Sequence, residues 1–287
     1  MGETQAGDLR KLRELLYQNS GIRMGVEKNS LLLSRLGKRL RALGLRSFRQ
    51  YYRWIAEDPA GNELERLVDC LTTNKTGFFR EPRHFDHFAK NAVPAYLSKK
   101  KGEGRGPFRV WSAACSSGEE TYTLAMTLLN GMAEARDFKI LGTDISPTMV
   151  GRALKGWYEL EKTKPIPSAW VDRYLVREEQ KGVPGYRAGP RLRQSVFFGL
   201  LNLNGDELPF RNGFDVIFCR NVMIYFDKPT QESLIRRLSA VLKPGGFLYT
   251  GLSESLLGIR HSLKTVEPSV YRKPETGDPA PGGPDGK

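Results

Sequence analysis

Residues 108–130 read FRVWSAACSSGEETYTLAMTLLN and predict a strand, a tight turn and a helix in succession. The run 108–114 is short, apolar and β-prone, which is typical of a strand buried in a parallel sheet. The turn at 115–118 is small and polar, and Glu119 and Glu120 favour the first turn of a helix, where carboxylates meet the positive end of the helix dipole. A strand that leads through such a turn into a helix is where open α/β sheets bind cofactors.

The composition of this turn indicates the kind of cofactor. A phosphate cradle needs several glycines, so that backbone N–H groups can approach the anion. Here one glycine, Gly118, is followed at once by two carboxylates, which would repel a pyrophosphate and favour a cation. S-adenosylmethionine has an ammonium, a sulfonium and no phosphate. From this stretch alone, a structural β-α turn without a ligand is an equally good interpretation.

Composition sets the outer bounds. The chain has 287 residues, enough for one large or two modest domains, and its net charge of +13 implies an acidic partner: nucleic acid, an anionic membrane or an acidic protein surface. No apolar run approaches the length of a membrane span, and no signal peptide is recognisable. The three cysteines are scattered and no metal-ligand spacing occurs, so we expect a reduced, cytoplasmic protein without a metal.

Residues 1–70 predict an all-helical N-terminal domain, with leucines at helical spacing and Ser47 and Asn62 as helix caps. Between residues 28 and 56 basic side chains occur and acidic ones are absent. Such a segment predicts a basic outer face, which is either a docking surface or an ordinary solvated face. The side chains assigned to this face are Arg35, Lys38, Arg39, Arg41, Arg46, Arg49 and Arg53.

The remaining chain predicts a connector at 71–88 and an α/β domain at 89–275, with a small antiparallel β-subdomain inserted at about 165–196 and a disordered tail at 276–287. In the connector, the guanidinium of Arg80 can hold a carboxylate bidentately. Asp144 follows a second strand and is placed to accept hydrogen bonds from a ribose. Asn202 ends another strand, where its amide could read an adenine edge, and Arg220 and Asn221 follow the strand at 214–219.

The order and spacing of these features indicate a Rossmann-like class I methyltransferase domain preceded by an all-α domain. A dehydrogenase would need a glycine-rich pyrophosphate turn, which is missing. A nucleic-acid methyltransferase stays open on charge alone. Enzymes that methylate base amino groups commonly place Asn/Asp-Pro-Pro-aromatic after this strand, whereas this chain has Arg220, Asn221, Val222 and Met223. A non-catalytic cofactor-binding signalling module is the third possibility.

Five motifs occur in order between residues 72 and 255: TTNKTGFFRE, VWSAACSSGEETYTLAM, LGTDIS, FCRNVMIYFDK and LKPGGFLYTGLSES. On these motifs, from about residue 8 to residue 273, the chain resembles the CheR family of chemotaxis protein-glutamate O-methyltransferases. The resemblance implies methyl transfer from S-adenosylmethionine to the γ-carboxylate of glutamates in chemoreceptors, which serves sensory adaptation. It also implies that the β-subdomain touches receptors, and that some members hold a receptor C-terminal peptide there.

The resemblance implies roles for individual residues. Arg80 and Tyr225 would line the methyl-transfer site, Glu119 would contact the methionine end of the cofactor, and Glu120 would serve the helix dipole. A carboxylate acceptor is already nucleophilic at neutral pH, so no general base is needed. The partner would be the glutamate-rich receptor helices, docked on the basic face of a monomeric enzyme that does not bind DNA and does not insert into a membrane. The full cofactor-binding set would be Asn74, Thr76, Arg80, Glu119, Asp144, Asn202, Leu203, Arg220 and Asn221.

Overall fold

The computed structural model describes residues 3–100, 106–132 and 137–275. The predicted tail at 276–287 lies outside the described residues. The N-terminal part is all-helical, as predicted, and its helices pack around a leucine-rich core that includes Leu12, Leu32, Leu36 and Leu67. The helices are α1 (Glu3–Ser20), α2 (Asn29–Ala42), α3 (Phe48–Ala56) and α4 (Asn62–Leu71), with a short 3₁₀ turn at Val26–Lys28.

The two predicted caps have different outcomes. The Ser47 hydroxyl accepts a hydrogen bond from the backbone N–H of Gln50 and caps α3, so that prediction is confirmed. The prediction for Asn62 is wrong, because α4 starts at this residue and Gly61 precedes it in the left-handed conformation. The carboxylate of Asp58 takes the capping role and accepts from the N–H of Glu63 at 2.7 Å.

The rest of the chain alternates helices with strands. The helices are α5 (Pro82–His87), α6 (Val93–Lys100), α7 (Glu119–Gly131), α8 (Pro147–Lys155), α9 (Leu160–Thr163), α10 (Ser168–Tyr174), α11 (Pro190–Arg193) and α12 (Lys228–Val241), with a π turn at Phe88–Ala92 and a 3₁₀ turn at Met223–Tyr225. The strands are β1 (Phe108–Ala113), β2 (Phe138–Asp144), β3 (Trp157–Glu159), β4 (Leu175–Gln180), β5 (Val183–Ala188), β6 (Val196–Leu200), β7 (Phe214–Cys219), β8 (Leu242–Tyr249), β9 (Lys264–Glu267) and β10 (Val270–Arg272).

Seven strands form one mixed sheet in the order β6-β2-β1-β7-β8-β10-β9. The first five strands of this order pair in parallel, and β10 is antiparallel to both of its neighbours. Successive residues of β1 face opposite sides of the sheet, so Val110 packs in the core that contains Phe88, whereas Trp111 packs in the core that contains Phe214 and Leu238. The prediction of a Rossmann-like α/β fold is confirmed.

Two segments near the end of the described chain depart from what their sequences favour. Pro244 and two glycines predict that the preceding helix ends at 242–246, but this segment is extended, since Leu242 already pairs with Phe214 at the start of β8. The segment TVEPSVYRK reads as one strand, but it contributes to two strands, β9 and β10, which reverse direction at Ser269 with a φ of 64°.

A separate three-stranded antiparallel sheet has the order β3-β5-β4. It starts at Trp157, earlier than the predicted bound of about 165, because Gly156 ends α8 with a φ of 60° and turns the chain directly into β3. The β4–β5 hairpin closes through Lys181 and Gly182, both at positive φ, which is typical of a two-residue hairpin turn. Among the described residues, no helix is long and apolar enough to cross a membrane.

Candidate functional site

A cavity lies at the carboxyl edge of the parallel strands β2, β1 and β7, beneath the helical N-terminal part. Ala114 follows β1, Asp144 ends β2 and Arg220 follows β7, and all three line the cavity. This is the edge at which open α/β sheets bind ligands. Nine of the ten predicted site residues line it: Asn74, Thr76, Arg80, Asp144, Asn202, Leu203, Arg220, Asn221 and Tyr225.

The tenth predicted residue, Glu119, does not line the cavity. Its side chain is fully buried and accepts hydrogen bonds from the Ser117 hydroxyl at 2.7 Å and from Lys162 Nζ at 3.2 Å. Glu120 lines the cavity instead, because successive helix residues are rotated by about 100° around the axis. The structure therefore places Glu120, and not Glu119, at the cavity, and the rotation of the helix was the signal that could have separated their positions.

The turn between β1 and α7 brings its own backbone against the cavity. Gly118 adopts a φ of 93°, and a Cβ at this position would lie 2.9 Å from the Cβ of Ala153. A glycine is therefore required here for close packing of the turn on α8.

Asp144 is held by backbone donors. Its two carboxylate oxygens accept hydrogen bonds from the N–H of Ser116 at 2.7 Å and of Ser146 at 3.0 Å, and 6% of the residue is exposed. Burial raises the pKa of the Asp144 carboxyl, and these N–H groups oppose the rise. Each oxygen retains a lone pair, so the carboxylate can accept a ligand hydroxyl without losing its support.

Arg220 is the best buried cation of the site, with 2% of its side chain exposed. Its guanidinium donates to Glu120 Oε2 at 2.9 Å, to Glu81 Oε2 at 3.0 Å and to the carbonyl of Arg80. The ring of Phe85 packs against it, with 5.4 Å from the ring centroid to Cζ. Among the described residues, Arg220 Nε is a buried donor without a partner, so one N–H remains for a ligand.

Two further carboxylates fix the loops around the site, and sequence reasoning missed both. Glu81 accepts from Asn221 Nδ2 at 3.1 Å and from the N–H of Leu252 at 3.2 Å. Glu254 accepts from the backbone N–H groups of Asn221 at 2.6 Å and Gly251 at 2.7 Å. Asn221 has a φ of 58°, a conformation that asparagine tolerates better than most residues, and these carboxylates hold it there.

Arg80 and Tyr225 reach the cavity from opposite parts of the chain. The Arg80 guanidinium is half-buried and donates to the carbonyl of Lys75 at 2.7 Å. Tyr225 lies on the 3₁₀ turn after β7, and Lys28 Nζ lies 5.9 Å from its ring centroid. Within the described ranges, no hydrogen bond engages the Tyr225 hydroxyl, which leaves it available as a donor.

The N-terminal helical part supplies one wall of the cavity. Asn202 Nδ2 donates to the carbonyl of Asn19, Arg23 N–H donates to the carbonyl of Tyr225, and the Tyr17 hydroxyl donates to Asp227. The Asn202 amide therefore joins the two parts of the chain, and its oxygen accepts from the N–H of Asn204. This wall was not predicted, because no local pattern marks it: Ser20, Ile22, Arg23, Met24, Lys28 and Leu31.

The residues present fit S-adenosylmethionine. Carboxylates of Glu120 and Asp144 suit a cationic amino-acid end and a ribose, and the free N–H of Arg220 suits a carboxylate. The turn after β1 has one glycine, so it lacks the repeated glycines of a pyrophosphate cradle. In the described part of the chain, no group of three His, Cys, Asp or Glu side chains could hold a metal ion.

The predicted basic face is smaller than expected. Arg35 is half-buried and donates to the carbonyls of Leu71 at 2.9 Å and Thr72 at 2.7 Å, which satisfies the C-terminal end of α4. Arg39 forms an ion pair with the buried Glu63. Arg35 and Arg39 are therefore structural and do not belong to an outer face. The other five are exposed: Lys38, Arg41, Arg46, Arg49 and Arg53.

Two family models match the chain: "CheR methyltransferase, all-alpha domain" over residues 7–72 and "CheR methyltransferase, SAM binding domain" over residues 74–272. A probable chemotaxis protein methyltransferase of Rhizobium etli is 38% identical, over 90% of this chain and 96% of its own. Chemotaxis protein methyltransferase 2 of Pseudomonas aeruginosa is 37% identical, over 92% of each chain. The chemotaxis protein methyltransferase of Escherichia coli is 36% identical, over 91% of this chain and 89% of its own.

Proposed function

Because the chain belongs to the CheR family of S-adenosylmethionine-dependent methyltransferases of chemotaxis, we propose that it methylates the γ-carboxylates of glutamate residues in chemoreceptor proteins. The products are glutamyl methyl esters and S-adenosylhomocysteine. This specificity accounts for the distribution of charge around the cavity, which is the observation that carries the proposal.

The cavity has two carboxylates and one cation, Arg220, at its buried end and exposed cations at its rim. Glu120 and Asp144 form the buried end, where a sulfonium and a ribose would be held. Arg23, Lys28 and Lys75 line the cavity but are exposed, so they form its rim. A cationic cofactor is favoured inside and an anionic acceptor is attracted to the entrance. A nucleobase amine is neutral, so in a nucleic acid the rim would attract the phosphates and not the acceptor group itself.

When bound, S-adenosylmethionine supplies an electrophilic methyl group on its sulfonium. Arg80 donates to one oxygen of the acceptor carboxylate and leaves the other free to face the methyl group. The Tyr225 hydroxyl donates a second hydrogen bond and fixes the acceptor's orientation. A glutamate side chain is ionised at neutral pH and needs no base, so positioning and exclusion of water account for catalysis.

Position in the cavity wall supports a binding role for each of these residues. Glu120 and Arg220 would hold the amino-acid end of the cofactor, and Asp144 would accept from the ribose. Asn202 and Leu203 lie after β6 and would contact the adenine, and Asn74, Thr76 and Asn221 complete the wall.

The experiment is a labelling assay with tritiated-methyl S-adenosylmethionine and three acceptors: a chemoreceptor cytoplasmic fragment, RNA and DNA. We expect label on the receptor fragment alone, released as methanol by alkali, as a carboxyl methyl ester requires. A fragment with its candidate glutamates changed to alanine is the matched control and should stay unlabelled. Label on RNA or DNA, or label on the fragment that resists alkali, would contradict the proposal.

The five exposed cations Lys38, Arg41, Arg46, Arg49 and Arg53 form the face that would attract the acidic receptor helix. Attraction between exposed charges is screened by salt, so receptor affinity should fall as salt rises from 50 to 300 mM. Lys38→Ala with Arg46→Ala should flatten this dependence, whereas Arg236→Ala, which removes an exposed cation of α12, should not. Equal salt dependence in both variants would remove this face from the proposal.

The three-stranded sheet is a second receptor contact. The enzyme acts as a cytoplasmic monomer.

A further inference from the structure

Three ionisable side chains form a row that starts at the cavity wall and runs away from it: Glu120 and Arg220, which line the cavity, and Glu81, which does not. Arg220 lies between the two carboxylates, at 3.0 Å from Glu81 Oε2 and 2.9 Å from Glu120 Oε2. The exposed fractions of the side chains of Glu81, Arg220 and Glu120 are 15%, 2% and 13%, respectively. One guanidinium therefore faces two carboxylates in surroundings that water hardly screens.

The charge states of the neighbours make this row negative. Burial lowers the pKa of His84, which lies 3.4 Å from Glu81, to about 4, so His84 is neutral at pH 7. Burial also raises the pKa of Glu81, but Arg220 and Asn221 outweigh it and the net shift is downward. Burial raises the pKa of Glu120, and the guanidinium of Arg220 and the hydroxyl of Ser112, which donate to its two oxygens, oppose this rise and favour the carboxylate. With both carboxylates ionised and His84 neutral, the row carries one negative charge in excess.

Glu81 is not one of the residues that line the cavity. Its oxygens are taken up by Arg220, by the amide of Asn221 and by the N–H of Leu252. It is the N-cap residue of α5 with a φ of 58°, which keeps the carboxylate on Arg220. Its effect on a bound molecule is therefore exerted through Arg220 and through its charge, and not through direct contact.

Resting on the function proposed above, we propose that Glu81 is a positioning residue whose charge lets the site distinguish S-adenosylmethionine from S-adenosylhomocysteine. In the transfer, the bond between sulfur and methyl breaks and its electron pair stays on sulfur, while a carboxylate lone pair forms the new bond. The cofactor loses one positive charge and no proton is released. Without Glu81, Arg220 and Glu120 would neutralise each other, and the sulfonium would gain no net attraction from them.

The measurable quantity is the ratio of two dissociation constants, that of S-adenosylhomocysteine divided by that of S-adenosylmethionine. Removal of one partly buried negative charge should lower this ratio about three- to tenfold, whatever its absolute value in the unchanged protein. The change should come from weaker binding of S-adenosylmethionine, because the two ligands share the amino-acid end and the sulfur of the product carries no charge. Structural damage to the site would weaken both ligands and leave the ratio in place.

The test is isothermal titration calorimetry of both ligands against Glu81→Asp and Glu81→Asn. The two variants have the same shape and differ in charge, and the left-handed backbone at residue 81 accepts either residue. The Asp variant should keep the ratio of the unchanged protein even if both affinities fall, and the Asn variant should lower it. Glu161→Gln, which removes an exposed carboxylate, controls for overall charge and should leave the ratio unchanged.

Thermal unfolding checks that each variant is folded. Should the Asn variant fail to fold, Glu81→Gln, which keeps the length and the acceptor oxygen, takes its place. Equal loss of both ligands in the neutral variants, or a lowered ratio in the Asp variant, would overturn the inference. Absence of S-adenosylmethionine binding by the unchanged protein would instead contradict the proposed function.

Discussion

Replacement of Asp144 by alanine tests how the cofactor site is built. Asp144 is the last residue of β2 and lines the cavity, and its oxygens accept from the N–H groups of Ser116 and Ser146. The variant removes the acceptor of a ribose hydroxyl. A hydrogen bond to a charged acceptor contributes about 1.5–3 kcal/mol, so the dissociation constant of S-adenosylmethionine should rise about 10- to 150-fold.

The same substitution leaves two buried N–H groups without a partner. Each such group costs about 1–3 kcal/mol, so the free energy of unfolding should fall by about 2–4 kcal/mol once some water enters. Calorimetry of cofactor binding and urea unfolding measure the two effects separately. The calorimetric measurements are made at a temperature at which the variant is still fully folded.

Asp69→Ala is the matched control. Asp69 accepts hydrogen bonds from the hydroxyls of Ser146 and Thr148 at the start of α8 but does not line the cavity. The Asp69→Ala variant should be less stable than the unchanged protein, while its dissociation constant for the cofactor should change less than threefold. If Asp144→Ala binds the cofactor as tightly as the unchanged protein, or if both variants weaken binding equally, the assignment of Asp144 to the ribose is refuted.

Three further predictions concern single side chains. Arg80→Ala should lower methyl transfer in the tritium assay at least about 100-fold with an unchanged unfolding temperature, because the Lys75 carbonyl is the one hydrogen-bond partner of its guanidinium within the described residues. Full turnover would exclude its role. Glu63→Gln should lower the free energy of unfolding, measured by urea titration, by about 2 kcal/mol. This loss is smaller than that expected for a fully buried ion pair, because the side chain of Arg39 is 27% exposed. An unaltered stability would contradict the prediction. The pKa of His84 is about 4 in the folded protein and 6.5 in the unfolded chain, so the unfolded chain takes up more protons as the pH falls from 6.5 to 4 and the protein loses stability in this range. His84→Phe should reduce this loss by about 3 kcal/mol. Parallel curves of unfolding free energy against pH for the variant and the unchanged protein would count against this prediction.

The parts of the fold that local patterns determine were predicted well. The strand, turn and helix at 108–130 and the polar residues at the strand ends follow from periodicity and turn chemistry. The limits of β3 and β8 were missed because they depend on pairing partners: Trp157 is held by Arg187, and Leu242 by Phe214. Pro244 and its glycines indicated a break, and only the neighbouring strand makes that segment extended.

The candidate site was predicted where a residue follows a strand and missed where distant segments meet. Asp144 and Arg220 lie at strand ends and could be read from the order of elements. Glu81 and Glu254 act on backbone groups far away in sequence, so no spacing marks them. The roles given to individual site residues stay predictions until binding and transfer are measured.

The cavity wall supplied by residues 20–31 has a thermodynamic consequence. A ligand that touches both the helical part and the sheet binds only when the two are docked, so its binding energy adds to their association. At a cofactor concentration 100 times the dissociation constant this amounts to about 2.7 kcal/mol. Cofactor should therefore merge the unfolding of the two parts into one cooperative transition, and loss of cofactor should loosen the helical part first.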